Sequence, residues 1–198
     1  MGALLFYGRN IDLTILVALI TITSQHNQLT KKTEQAINQL LDYLTSHPNA
    51  TIRYYTSEMI LKIYSDASYL SEKNAHSWSG GYFFLGNRVS KGKQILLNGS
   101  VHTLCKILKH VVSSAAEAEL AALFLNAQEG KILRLTLDKM GHPQPPTPMH
   151  CDNTTAYGIV HVIVKRQRSR AMDKQYFWIV DKKPRRTSIS RGHQELIT

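Results

Sequence analysis

A strand-like segment that carries one acidic residue near its end constrains the fold of this chain more than any other feature of the sequence. Residues 60–69 read Ile-Leu-Lys-Ile-Tyr-Ser-Asp-Ala-Ser-Tyr, so a run of apolar and strand-forming residues delivers Asp66. Three later segments each bring one further candidate carboxylate, at Glu119, Asp152 and Asp173. We predict that these four side chains meet in space and bind divalent metal, because oxygen ligands suit hard cations.

The composition supports a folded, basic protein. The chain has 198 residues, of which 43% are hydrophobic, so it is long enough for one domain with an appendage and argues against wholesale disorder. Lys and Arg number 24 against 14 Asp and Glu, a net charge of +10 that favours a polyanionic partner, nucleic acid before membrane. Charge alone fits a merely soluble basic protein equally well.

Neither cysteine usage nor the first apolar run indicates secretion. Cys105 and Cys151 provide no disulfide framework and no Cys-x-x-Cys pair, which fits a reducing compartment. The apolar run over residues 11–22 contains Asp12 and several threonines, so it is too short and too polar to span a bilayer. We therefore predict a cytoplasmic protein that makes no membrane contact.

Hydrophobic periodicity divides the chain into three parts. Residues 1–50 are predicted as a helical appendage with one helix in its first 29 residues and another over residues 30–47. Residues 51–182 carry strands followed by alternating helices and strands, which indicates a mixed α/β sheet with helices against it. Residues 183–198 are predicted to be a flexible basic tail.

The boundaries of individual elements differ in clarity. Residues 98–112 fit a strand or a helix, and residues 51–55 fit a short strand. The remaining predicted elements, in chain order, are strands over residues 59–64 and 78–85, a long helix over 115–140, a strand over 147–152, and helices over 153–164 and 172–181.

Crowded carboxylates suit the hydrolysis of a phosphodiester. Two Mg²⁺ ions about 4 Å apart would deprotonate water, neutralise the phosphate and stabilise the leaving oxygen. The carboxylates repel one another until metal is bound. Taken singly, each acid is more often a helix cap or part of a solvated face, and Glu117 serves as the comparator for Glu119.

Five motifs resemble the ribonuclease H domain of copia-type retrotransposon polyproteins. They contain all four acids and lie in residues 64–69 (Tyr-Ser-Asp-Ala-Ser-Tyr), 79–86 (Ser-Gly-Gly-Tyr-Phe-Phe-Leu-Gly), 113–120 (Ser-Ser-Ala-Ala-Glu-Ala-Glu-Leu), 151–156 (Cys-Asp-Asn-Thr-Thr-Ala) and 168–177 (Arg-Ser-Arg-Ala-Met-Asp-Lys-Gln-Tyr-Phe). Residues 1–50 resemble the C-terminal remnant of the reverse transcriptase that precedes this domain.

The resemblance implies a ribonuclease H-like mixed five-stranded sheet flanked by helices. It also implies metal-dependent endonucleolytic hydrolysis of the RNA strand of RNA–DNA hybrids, beside an upstream reverse transcriptase in the parent polyprotein. The cofactor would be two Mg²⁺ ions, with Mn²⁺ as a substitute. The residues that match the catalytic, metal-binding acids of the family are Asp66, Glu119, Asp152 and Asp173. Glu119 is chosen over Glu117 because its Glu-Leu-x-Ala spacing matches the motif.

Candidate nucleic-acid contacts follow from residue type and position. Distinguishing RNA from DNA requires contacts to the 2′-hydroxyl. The polar residues near the acids that suit this role are Ser68, Gln128 and Asn153. The basic residues that suit phosphate binding, or equally a solvated loop, are Lys165, Arg166, Arg168 and Arg170.

Departures from the family pattern keep three functions open. Residues 87–112 are unusually rich in Lys and His, and the loop before Asp173 has no histidine of the kind some ribonucleases H use in product release. The motifs predict an active hybrid ribonuclease. The departures motivate the alternative, a non-catalytic nucleic-acid-binding remnant. A connection module that works only when joined to a polymerase is the third hypothesis.

Overall fold

The chain forms two compact units, Met1–Tyr54 and Tyr55–Thr198. The structure, a computed structural model, describes residues 2–25, 30–88, 96–154, 170–182 and 195–197. Because each unit has a hydrophobic core of its own, each is described in turn.

The first unit is helical. Its helices are α1 (Gly2–Asn10), α2 (Leu16–Ser24) and α3 (Lys31–Ser46). Ile15, Leu19, Ile22 and Leu40 form its buried core. The helix over residues 30–47 is confirmed, and its start is fixed by Thr30, whose hydroxyl accepts a hydrogen bond from the Thr33 backbone N–H at 3.3 Å.

The prediction of one helix in the first 29 residues is wrong, because Asp12 divides that segment. The Asp12 carboxylate accepts a hydrogen bond from the Thr14 backbone N–H at 3.1 Å and so caps a short 3₁₀ turn that leads into α2. No helix in the described part of the chain has the length and apolarity that crossing a membrane requires.

The second unit is built on one mixed sheet. Its strands are β1 (Ile60–Ser68), β2 (Trp78–Gly86), β3 (Ser100–Ile107), β4 (Pro148–His150) and β5 (Glu195–Ile197), in the order β3-β2-β1-β4-β5. β1 pairs with β4 in parallel, and the other neighbours are antiparallel. The longest pairing joins β1 to β2 over the whole length of both strands.

Among the described residues, two helices accompany the sheet, α4 (Ala115–Lys139) and α5 (Arg170–Lys182). Leu120 and Leu123 of α4 pack in one core with Ile63 of β1 and Phe83 of β2. This apolar contact holds α4 on one face of the sheet. The predicted mixed α/β sheet with helices against it is therefore confirmed.

Some of the predicted elements differ from the structure. Within the described part of residues 51–182 there are four strands rather than five, and residues 51–55 form none of them. The ambiguous stretch over residues 98–112 is a strand up to Ile107. The predicted helix over residues 153–164 lies outside the described residues beyond Thr154.

Three residues of the predicted flexible tail form a strand. The backbone of Glu195–Ile197 pairs antiparallel with β4 and forms the fifth strand of the sheet. Without this segment, the outer side of β4 would present unpaired N–H and C=O groups, which an extended segment can pair with.

Candidate metal centre

The pairing of β1 with β4 places two of the candidate acids near the same end of these neighbouring strands. The parallel register sets Ile63 opposite Met149 and Tyr64 opposite His150. Asp66 lies two residues beyond Tyr64 on β1, and Asp152 lies two residues beyond His150, just after β4 ends; both acids are exposed. Ligands of α/β proteins commonly bind at the carboxyl ends of parallel strands, so these two acids occupy a position suited to a ligand-binding site.

The first turns of α4 give Glu117 and Glu119 different roles. The Ser114 hydroxyl accepts a hydrogen bond from the Glu117 backbone N–H at 3.2 Å and caps the helix. The Glu117 carboxylate in turn accepts hydrogen bonds from the backbone N–H and the hydroxyl of Ser113, at 2.8 and 2.6 Å. Glu117 therefore stabilises the helix start. Glu119 lies further along the helix and is also buried, with 5% of its surface exposed.

Glu119 belongs to a compact group of potential metal ligands. One ligand atom each of Glu119, Cys151 and Asp152 lies within 4.8 Å of the other two. The Cys151 thiol donates a hydrogen bond to Oε2 of Glu119 at 3.6 Å. The sequence analysis assigned Cys151 no role in this group. Because β4 ends at His150, the alternation of side chains along a strand does not govern Cys151 and Asp152, and both can approach Glu119.

Burial and the neighbouring acids shift the pKa of Glu119. Burial, together with the negative charges of Asp66 and Asp152, raises the pKa of Glu119 to about 7. Hydrogen bonds from the Cys151 thiol and the Ala67 backbone N–H oppose this rise in pKa. Asp66 therefore acts electrostatically on Glu119 although it is outside the three-residue ligand group.

The thiol of Cys151 is affected by the same environment. Burial, together with the carboxylates of Glu119 and Asp152, raises its pKa to about 12. A hydrogen bond from the Asn153 backbone N–H opposes this rise. At neutral pH the sulfur therefore carries its proton and is the donor in the contact with Glu119.

Such a group can bind a cation. A buried carboxylate that faces two other acids is destabilised in its charged form, and a divalent ion would reverse that penalty. The carboxylate oxygens of Glu119 and Asp152 are ligands of the type that Mg²⁺ uses. The residues present therefore fit a divalent metal.

A buried amide locks α4 onto the strands beside the acids. Nδ2 of Asn126, whose side chain is fully buried, donates hydrogen bonds to Oγ of Ser65 and to the Gly80 carbonyl, both at 2.8 Å. Gly81 makes this approach possible, since a Cβ at that position would overlap the amide of Asn126. Because Ser65 adjoins Asp66, the network sets the position of α4 next to the candidate centre.

Asp173 is located on another element. It lies half-buried in the first turn of α5 and is outside the ligand group found among the described residues. α5 packs against α4 through an edge-to-face contact between Trp178 and Phe124, with ring centroids 5.2 Å apart. Participation of Asp173 in the centre stays a prediction.

The predicted nucleic-acid contacts are placed unequally. Ser68 ends β1 and is exposed, and Asn153 follows Asp152 directly. Gln128 is exposed nine residues beyond Glu119 on α4, about 13 Å along the helix axis, so the structure does not bring it to the acids. Arg170 is the first residue of α5, and the predicted basic residues outside the described part are Lys165, Arg166 and Arg168.

Fold and site together define a mixed α/β protein with an acidic, thiol-containing centre at the ends of two parallel strands. In sequence, the chain is 26% identical over 145 residues, 73% of its length, to the retrovirus-related Pol polyprotein from transposon TNT 1-94 of Nicotiana tabacum. The predicted relationship to retrotransposon polyproteins is thereby confirmed. The chain spans about 10% of the length of that polyprotein. No family model matches the sequence.

A solved structure shows a partial likeness. The crystal structure of LC11-RNase H1 in complex with RNA/DNA hybrid matches with a TM-score of 0.42 and 14% sequence identity. The match covers 62% of this chain and 75% of that one.

Proposed function

We propose that this chain is a ribonuclease H-like domain of a retrotransposon polyprotein that hydrolyses the RNA strand of RNA–DNA hybrids. The observation that carries the proposal is the convergence of Glu119 and Asp152 in one ligand group, with Asp66 close enough to raise the pKa of Glu119. The transposon polyprotein relative supports the biological setting, in which the domain works inside the cell beside an upstream reverse transcriptase.

Divalent metal is the cofactor that suits this centre. Asp66, Glu119 and Asp152 would bind Mg²⁺, with Mn²⁺ as a substitute, and Asp173 would complete a site for two ions. Bound metal would activate water and neutralise charge on the phosphate. Glu119 contributes a carboxylate fixed by burial, whereas Asp66 and Asp152 are exposed and accessible to a polymeric substrate.

Substrate binding would rest on charge and on contacts near the acids. Ser68 and Asn153 flank the two exposed acids in sequence and offer hydrogen bonds to a 2′-hydroxyl. Gln128 and the basic residues Lys165, Arg166, Arg168 and Arg170 would contact the nucleic acid further from the acids. The net charge of +10 favours a polyanion overall.

A cleavage assay with matched variants tests the proposal. The substrate is an RNA–DNA hybrid with a labelled RNA strand, incubated with Mg²⁺. Asp66→Asn, Glu119→Gln and Asp152→Asn should each lower the rate by at least about 100-fold, because each removes a charged ligand. Single-stranded RNA and double-stranded DNA should be cut poorly, since the 2′-hydroxyl and the hybrid shape are both required.

Glu117→Gln provides the matched control. It changes a buried glutamate in the same helix turn to the same amide, at a position that caps α4. It should lower stability by about 1–2 kcal/mol and leave the cleavage rate of the folded protein near that of the wild type. Wild-type cleavage no faster than that of Asp66→Asn would refute catalysis, and retained hybrid binding would then identify a non-catalytic remnant.

A further inference from the structure

The thiol of Cys151 sits in the carboxylate centre without a part in the chemistry proposed for it. The residue is buried, with 6% of its surface exposed, and Sγ lies 3.6 Å from Oε2 of Glu119. A ligand oxygen of Asp152 lies in the same 4.8 Å group. Hard ions such as Mg²⁺ bind through oxygen and do not require sulfur.

Glu119 is a buried carboxylate that faces the other members of the group. The residue has 5% of its surface exposed. Among the described residues the salt bridge found joins Lys106 to Glu129, and none involves Glu119. A buried carboxylate without a cationic partner is costly, and this one is turned toward a thiol and a second carboxylate.

The mixed ligand set favours a different class of metal. Thiolates prefer soft or borderline ions, and Zn²⁺ is bound in proteins by combinations of thiolate, imidazole and carboxylate. Two carboxylates and one thiolate supply three protein ligands and leave a position for water, which is the number common at open zinc sites.

We propose that Glu119, Cys151 and Asp152 form a binding site for a thiophilic divalent ion, Zn²⁺ or Cd²⁺, which excludes Mg²⁺ from the same carboxylates. On binding, the metal–sulfur bond replaces the sulfur–hydrogen bond of Cys151, and the proton passes to solvent. The Oε2 atom of Glu119 exchanges the thiol hydrogen bond for the metal. Loss of hybrid cleavage in the presence of Zn²⁺ would follow, and that consequence alone rests on the proposed function.

Cadmium titration tests binding without reference to activity. Cd²⁺ bound to a thiolate produces a ligand-to-metal charge-transfer band in the ultraviolet. Wild-type protein, reduced and free of other metals, should develop this band with one Cd²⁺ per chain. Cys151→Ser should abolish the band, and Glu119→Gln should weaken the affinity for Cd²⁺ by at least about tenfold.

The second cysteine offers a matched control. Cys105 is half-buried on β3, where it pairs with Gly80, and it lies outside the ligand group. Cys105→Ser should keep the full cadmium band. A band that persists in Cys151→Ser, or that disappears in Cys105→Ser, would overturn the site. Circular dichroism verifies that both variants are folded. If Cys151→Ser does not fold, Cys151→Ala takes its place in the titration.

Competition with magnesium tests the shared ligands. Excess Mg²⁺ should raise the dissociation constant of Cd²⁺, and an unchanged constant would overturn mutual exclusion. The two proposals fail separately. A cadmium band without any Mg²⁺-dependent hybrid cleavage refutes the ribonuclease and leaves the thiophilic site, whereas cleavage without a band refutes the thiophilic site alone.

Discussion

At the residue scale, Glu119 makes the stability of the metal-free protein depend on pH. Its pKa in the folded protein is about 7, above the ordinary value of 4.5, so folding favours the protonated form. Its stabilising contribution is therefore complete below pH 4.5 and is lost as the pH rises through 7. A shift of this size corresponds to about 3 kcal/mol at most.

Glu119→Gln should remove that dependence. Without divalent ions, the variant should unfold at higher urea concentrations than the wild type at pH 8 and at similar concentrations at pH 5. Urea denaturation followed by circular dichroism measures both. If the two proteins lost stability in parallel between these pH values, Glu119 would not be the group responsible. Mg²⁺ should reduce the difference at pH 8, since it offsets the same repulsion.

Much of the centre could be predicted from residue types, and its chemistry could not. Asp66 and Asp152 follow apolar strand-like runs, so the sequence predicts their position near strand ends. Glu117 and Glu119 are two residues apart, and the hydrogen bonds from Ser113 that distinguish them appear only in three dimensions. The thiol of Cys151 was missed because its contact depends on where β4 ends.

At the scale of elements, the closeness of α4 to the sheet depends on glycine. Gly81→Ala should destabilise the protein by about 1–3 kcal/mol, because the added Cβ would displace the fully buried amide of Asn126. The same displacement would disturb the hydrogen bonds to Ser65 and Gly80 beside the acids. Thermal unfolding and the affinity for Cd²⁺ measure the two effects.

Gly80→Ala is the control for that change. It adds the same methyl group to the preceding residue of β2. There the added Cβ would lie 3.6 Å from the Asp66 carbonyl oxygen, an ordinary van der Waals contact. Its melting temperature should remain close to that of the wild type. Equal losses in the two variants would show that strand propensity, rather than the approach of α4, governs this position.

Elements with strong periodicity were predicted well, and those set by a single polar residue or by tertiary pairing were not. The helix over residues 30–47 and the long helix from Ala115 follow from apolar spacing and caps. The division at Asp12 depends on one side-chain hydrogen bond. The strand Glu195–Ile197 owes its existence to the edge of β4, which no local pattern reveals.

At the scale of the whole molecule, each unit contains its own core. The buried residues Ile15, Leu19, Ile22 and Leu40 belong to the first unit alone, and the cluster around Ile63 and Phe83 belongs to the second. A fragment of residues 55–198 should therefore fold by itself, unfold in one cooperative transition and bind Cd²⁺ as the full chain does. Calorimetry and the titration described above measure this.

The first unit provides the contrast. With 54 residues and a small core, residues 1–54 should be marginally stable alone and show a weak or absent transition. An unfolded 55–198 fragment would show instead that the second unit needs the first. Full activity of that fragment on a hybrid would exclude a connection module as the function of the chain.

The pairing of β1 with β4 also has a kinetic consequence. Asp66 and Asp152 come from distant parts of the chain. The segment that connects them contains β2, β3 and α4. Closing so long a loop is slow, because its entropy is lost before the contact is gained. We therefore expect the centre to assemble late in folding, so that a ribosome-bound or half-folded chain would carry these acids apart from one another.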